Sequence, residues 1–455
     1  MRDFVVLGIV LLSLPTVFRR PFVGLILFSW LAYMRPQDLC WGFARDMRFS
    51  FYVAVTMVIG WYVNDAHKRR FFTPDPRMYL MLTLGLLITV SLAFASQYDP
   101  LTGRYYFEFL KILAIAIFTI GQVDSRKRLR ALLWTIAFSL GFYSVKNGLV
   151  GIARGGSTIL RGPGGMLEDN NDFALALVMN IPLLYYLGQL ANDKRIRMVT
   201  LAAIMLTAVT VLLTHSRGGF LAMNSVFLWI SWRSGKLLRA LVVLGVLAVL
   251  FFAFAPEHVV ERIASIGKGR EDDSAASRLD SWMVALRMIA ANPIWGVGLR
   301  NFVISSPDFG AVMGPDRIMH VAHNSYLQIA AEGGLIAFMV YLGLLASSFT
   351  AGWFLRRVGR SRPDLADFGV YGRMFEATML GFMVGGMFLN RGHFDLVYHV
   401  FGIIGAAVLV AQRELRQASV PQADGAHPVR HGRQAVTVRW RSPVDHLATA
   451  RWERG

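Results

Sequence analysis

Apolar residues fall along this chain in repeated runs of about 15 to 20 positions, each long enough as a helix to span a hydrocarbon core. Two of them read MYLMLTLGLLITVSLAFAS (78–96) and LLRALVVLGVLAVLFFAFA (237–255). The pattern predicts spans at 4–18, 21–34, 50–64, 78–96, 106–122, 129–150, 171–190, 197–214, 218–232, 237–255, 324–355, 372–390 and 396–412. The first two are short and interrupted by Pro15 and Pro21, so one of them is expected to tilt or re-enter rather than cross. The expected fold class is therefore an all-α polytopic membrane protein with about twelve transmembrane helices. No internal repeat of the transporter kind is evident.

One connection differs from the rest. Residues 256–322 form a long loop, and loops of that length are usually functional or disordered. Within it, SRLDSWMVALRMIAANP (277–293) places Leu279, Trp282, Leu286 and Ile289 at helical spacing, with Pro293 closing the segment. This predicts an amphipathic helix lying on the membrane surface over a cavity. The glycine-rich WGVGLRNF (295–302) then turns the chain toward HVAHNSYLQIAAEGG (320–334).

Composition agrees with the pattern: hydrophobic residues make up 55% of the chain and mean hydropathy is +0.46. The first apolar run ends in Phe-Arg-Arg-Pro and continues into another, so it reads as a span of the mature protein rather than a cleaved signal. The single cysteine, Cys40, excludes an internal disulfide and a cysteine-based metal site. The formal net charge of +18 raises the question of nucleic acid, but the basic residues lie between the spans. Alternate connections hold 21 Lys and Arg, against 8 in the opposite short ones. That asymmetry is the positive-inside signal, and it puts the 256–322 loop and His323 on the outer side. The domain plan is a multi-span unit over 1–412, with the chemistry-bearing motifs in 200–350. A disordered basic cytoplasmic tail follows at 413–455.

The outer connections collect arginines: Arg161 in LRGPGGMLEDNNDFA, Arg217 in THSRGGF and Arg278 in the amphipathic helix. A guanidinium beside apolar spans is costly unless it meets an anion, and its planar fork suits phosphate oxygens. Three of them can neutralise a diphosphate without a metal or cofactor. The plainer reading is an arginine that snorkels to lipid headgroups, and Arg262, Arg300 and Arg317 keep it. His323 has the chemistry of a general base near neutral pH, or of a helix-start histidine satisfied by backbone. Asn324 is placed to cap a helix or to orient a substrate hydroxyl. Ser325, Gln328 and Glu332 share one helical face, on which Glu332 is expected to anchor the helix to a neighbour. No nucleotide-binding fingerprint is present, so an energy-rich donor must come from the membrane or the outer compartment.

THSRGG (214–219), SRLDSW (277–282), NPIWGVGLRNF (292–302) and AHNSYLQIAAEGGL (322–335) resemble, in order and spacing, the bacterial O-antigen ligase and polymerase superfamily. RGPGGMLEDNNDFALAL (161–177) extends the resemblance, and YMRPQD (33–38) looks closest to its ligases. The resemblance implies a GT-C-like membrane glycosyltransferase of the bacterial inner membrane, active on the periplasmic face. Its donor would be a glycan on undecaprenyl diphosphate and its acceptor lipid A–core. It also implies His323 as the catalytic histidine and Arg217, Arg278 and Arg161 as diphosphate ligands. Leu335, Ile336 and Ala337 follow Gly334 where ligases tend to carry a small or hydroxyl residue, which keeps an O-antigen polymerase open. The same motifs leave room for a protein O-glycosylating ligase and, outside enzymes, for a lipid-linked-glycan transporter.

Overall fold

The computed structural model describes residues 1–156, 159–236, 238, 273–310 and 321–419. Among them the long elements are all helices: α1 (Arg2–Arg19), α2 (Pro21–Tyr33), α3 (Phe49–Asn64), α4 (Pro76–Ala93), α5 (Thr102–Gln122), α6 (Arg126–Ala153), α7 (Asn170–Leu190), α8 (Lys194–Leu213), α9 (Arg217–Arg233), α10 (Asp273–Ala291), α11 (Ser325–Ser361), α12 (Ala366–Gly386) and α13 (Asp395–Ser419). Each predicted span that falls within these residues coincides with a helix. The expected span at 237–255, most of the 413–455 tail and parts of the 256–322 loop lie outside the described residues. By length and composition α4, α5, α6, α7, α8, α11 and α13 can each cross a membrane, and α2 and α3 are shorter apolar helices. The chain is an all-α multi-pass membrane protein.

Residues 1–415 form one compact unit. In its second half α12 is central, packing on α7, α9 and α11. Gly359 of α11 lies against Gly369 of α12, and Gly386 at the far end of α12 lies against Ser325, so these two helices are antiparallel. Gly381 and Gly385 meet Val178 and Leu175 of α7 as well as Val226 and Ala222 of α9, which run antiparallel to α12 too. The N-termini of α7, α9 and α11 therefore share one end of the unit. Their C-termini share the other.

That other end is the basic one. Arg233 of α9 and Arg356 of α11 both bind Glu376 of α12, at 3.2 Å and 2.9 Å, and the carboxylate is buried. Arg130 pairs with Asp367 at 2.8 Å, and Arg126 pairs with Glu414. Glu376 thus closes three helices at a depth where one unpaired carboxylate would be expensive.

The helix expected in the long connection is present as α10, and its buried face carries Ser281, Val284, Ala285 and Met288, whereas Leu279 and Leu286 are exposed. Small Ser281 and Ala285 let α10 lie close on α11, where Val284, Ala285 and Met288 form a satellite core with Val297, Phe302, Ala322 and Ala331.

Candidate functional site

Two of the motifs share one backbone design. His215 and His323 both have left-handed backbone, with φ of 53° and 48°, a region that histidine tolerates better than most side chains. Each is followed by a helix cap. Ser216 Oγ accepts the N–H of Gly219 at 3.1 Å to start α9, and Asn324 Oδ1 accepts the N–H groups of Tyr326 and Leu327 at 2.9 and 3.1 Å to start α11. The sharp reversal turns the chain directly into its helix, with Arg217 at the first position of α9 and His323 just ahead of α11. Both side chains are half-buried. Because Asn324 spends its Oδ1 on the cap, only its amide Nδ2 remains to orient a substrate hydroxyl.

A short loop, 387–394, ties these helix starts together. Ser325 Oγ donates to Leu389 O at 2.8 Å and accepts the N–H of Arg391 at 3.0 Å, and the N–H of Gly392 donates to Gln328 Oε1 at 3.0 Å. Phe388 lies against Gly218 in the first turn of α9. The Arg391 guanidinium binds the Asp172 carboxylate of α7 through both Nε and Nη2. Two residues before Asp172, Asn170 Nδ2 donates to Thr214 O at 2.8 Å, joining the start of α7 to the turn before Arg217. The starts of α7, α9 and α11 are thereby joined by a continuous set of contacts, with Arg217 at the head of α9 and His323 two residues before Ser325.

α11 is broken just below this point. Gly334 has φ 80° and ψ 172°, and a Cβ there would lie 2.0 Å from Ile294 O, so a side chain is excluded. The break frees helical groups, and the 293–298 segment takes them. Val297 N–H donates to Ala331 O at 2.8 Å, Gly298 N–H to Glu332 O at 2.9 Å, and Leu335 N–H to Pro293 O at 2.8 Å. The buried Glu332 carboxylate receives Gln328 Nε2 at 3.3 Å. Asn301 then reaches the 97–102 loop, accepting from Asp99 N–H and Thr102 Oγ1. This fixes the 97–102 loop and the 293–302 segment on the helix that His323 precedes.

The remaining expected residues are placed less centrally. Arg161 is exposed and stands across a single antiparallel bridge from Asp169, the cap of α7. Arg278 is half-buried near the start of α10, whose later turns pack on Ala322, the neighbour of His323. The YMRPQD stretch belongs to this end as well: Arg35 pairs with Asp38, and its Nη1 occupies the space that a side chain on Gly165 would need. Arg391, Asp172 and Arg35 were not singled out from the sequence. In the same loop as Arg391, His393 packs edge-on against Phe109, 4.7 Å between ring centres, and burial holds its imidazole neutral, down to a pKa of about 4.

Residues 202–342 match the family model described as O-antigen ligase, and residues 1–192 match one described as a family of unknown function. No curated protein matches the chain. The O-antigen ligase match spans Arg217, Arg278, His323 and the Gly334 break.

Proposed function

We propose that this protein, a member of the O-antigen ligase family, is an inverting ligase of the bacterial inner membrane. In this reading it transfers a glycan from undecaprenyl diphosphate to a hydroxyl of lipid A–core on the periplasmic face, within a GT-C-like bundle of about twelve crossings. What supports the reading is that the helix starts carrying the Arg217 and His323 motifs are tied through the 387–394 loop at the end opposite the Lys- and Arg-rich connections. The membrane potential and the positive-inside rule orient such an end outward.

The mechanism follows from these groups. His323 takes the proton of the acceptor hydroxyl as its oxygen attacks the anomeric carbon. The bond from that carbon to the phosphate oxygen breaks, and undecaprenyl diphosphate leaves with the bonding pair. Attack opposite the leaving group inverts the anomeric centre. Arg217, with Arg278 and Arg161, holds the diphosphate and stabilises the charge that grows on it. Asn324 Nδ2 orients the acceptor. Left-handed backbone at His323 presents the imidazole at the start of a capped helix, fixing the base before substrate arrives.

The test is transfer by purified protein, with undecaprenyl-diphosphate glycan as donor and EDTA present. Lipid A–core, a second lipid-linked glycan and an acceptor protein are offered separately. Product on lipid A–core is expected. Elongation of the lipid-linked glycan instead would replace the ligase by a polymerase, modification of the protein by a protein O-glycosylating ligase, and movement of donor without transfer by a transporter.

A further inference from the structure

Arg391 stands out among the charged groups that the mechanism above does not use. Its guanidinium is fixed along one edge: Nε and Nη2 take both oxygens of Asp172, while its backbone N–H is held by Ser325. The other edge is not spent, since Nη1 makes no hydrogen bond among the described residues. The Arg391 side chain is 40% exposed although its partner carboxylate is only 3% exposed. One face is thus sealed and the other open.

Its surroundings carry the wrong sign for a cation. The N-termini of α7, α9 and α11, helices of 21, 17 and 37 residues, meet here, and helix N-termini favour anions. Arg217 lies at the first position of one of them. Of the nearby carboxylates, Asp169 accepts from the N–H groups of Asn171 and Asp172, and Asp395 heads α13. A lock between α7 and the loop needs no such arginine at three positive helix ends. A neutral hydrogen-bonded pair would serve. An arginine with one edge clamped and the other presented is what a bidentate or bridging phosphate contact requires.

We infer that Arg391, oriented by Asp172, binds a phosphate oxygen of the polyprenyl diphosphate donor. This rests on the donor assigned above, and the same chemistry would also suit an anionic phospholipid headgroup. Direct binding separates them. The full chain in phosphatidylcholine nanodiscs is titrated with undecaprenyl diphosphate, and separately with phosphatidylglycerol, for wild type, Arg391→Gln, Arg391→Lys and the double variant Asp172→Asn with Arg391→Gln. Melting temperature is recorded for each.

Arg391→Gln is expected to weaken undecaprenyl diphosphate about tenfold or more, the scale of a lost charge-assisted hydrogen bond. Arg391→Lys keeps the charge without the fork and should fall between. The double variant should regain the melting temperature, by a neutral amide pair, without regaining affinity. Recovery of both would reduce Arg391 to a structural tie and overturn the inference, as would wild-type affinity in every variant. An Arg391-dependent preference for phosphatidylglycerol would overturn the donor assignment in favour of a headgroup site. Failure of wild type itself to bind undecaprenyl diphosphate would instead strike the proposed function, and is read without any variant.

Discussion

The two ends of the helical unit solve the same problem, a buried carboxylate facing arginine, in different ways. At the basic end Glu376 receives two arginines, one from α9 and one from α11, and its charge is spent on joining three helices. At the opposite end Asp172 receives a single arginine, carried on a loop, with one edge of the guanidinium still presented. The first arrangement lies wholly within the protein, with Arg233 Nε buried and without a hydrogen bond among the described residues. The second presents an open edge, and it sits where three helix N-termini meet, beside the motifs that carry Arg217 and His323. A buried ion pair is thus weak support for function by itself, and what separates the two is the exposure of the guanidinium and the field around it.

This contrast can be broken at either end. The largest effect on stability is expected from Glu376→Gln, which leaves Arg233 and Arg356 without their carboxylate and should cost about 3 kcal/mol. The drop should appear as a lower melting temperature in detergent, with glycan transfer per folded molecule kept within about twofold. A large loss of turnover at unchanged stability would mean that the basic end takes part in function.

A smaller effect belongs to the site end and to pH. The imidazole of His393 titrates at about 4 in the folded protein against 6.5 unfolded, so between those values the unfolded chain binds more protons. Stability from this group is complete above pH 6.5 and is lost as pH falls toward 4, amounting to about 2 kcal/mol by pH 5. Melting curves from pH 7 to 5 should therefore slope downward in wild type, and His393→Phe, which keeps a ring against Phe109, should flatten them. Equal slopes would remove His393 from the account. The smallest effect is expected from Asn324→Ala, where loss of the cap on α11 should cost about 1 kcal/mol. If melting is unchanged, the cap does not hold the site.

Much of the fold was legible because a membrane demands long apolar helices, and runs such as 78–96 and 171–190 have few other uses. The start of α11 was legible too, since Asn324 is a capping residue placed directly before an apolar run. The shared left-handed turn at His215 and His323 was not, because backbone handedness leaves no periodic signal. Nor was the Asp172–Arg391 pair, whose partners lie 219 positions apart in the sequence and which only the antiparallel packing of α12 brings together. The helix at α10 was legible from the spacing of Leu279, Trp282, Leu286 and Ile289, whereas the face it packs against the protein, with the small Ser281 and Ala285, left no apolar signal. Gly334 was visible in AHNSYLQIAAEGGL, but its purpose is set by Ile294 O, which stands where a side chain would have to go.

The central claim is that His323 is the general base at the anion-binding end. The most direct measurement is single-turnover transfer from undecaprenyl-diphosphate glycan to lipid A–core, comparing wild type with His323→Ala and recording donor affinity in parallel. The account predicts a loss of roughly a hundredfold or more in rate with donor affinity nearly unchanged. A variant that binds donor normally and keeps most of its turnover would contradict it.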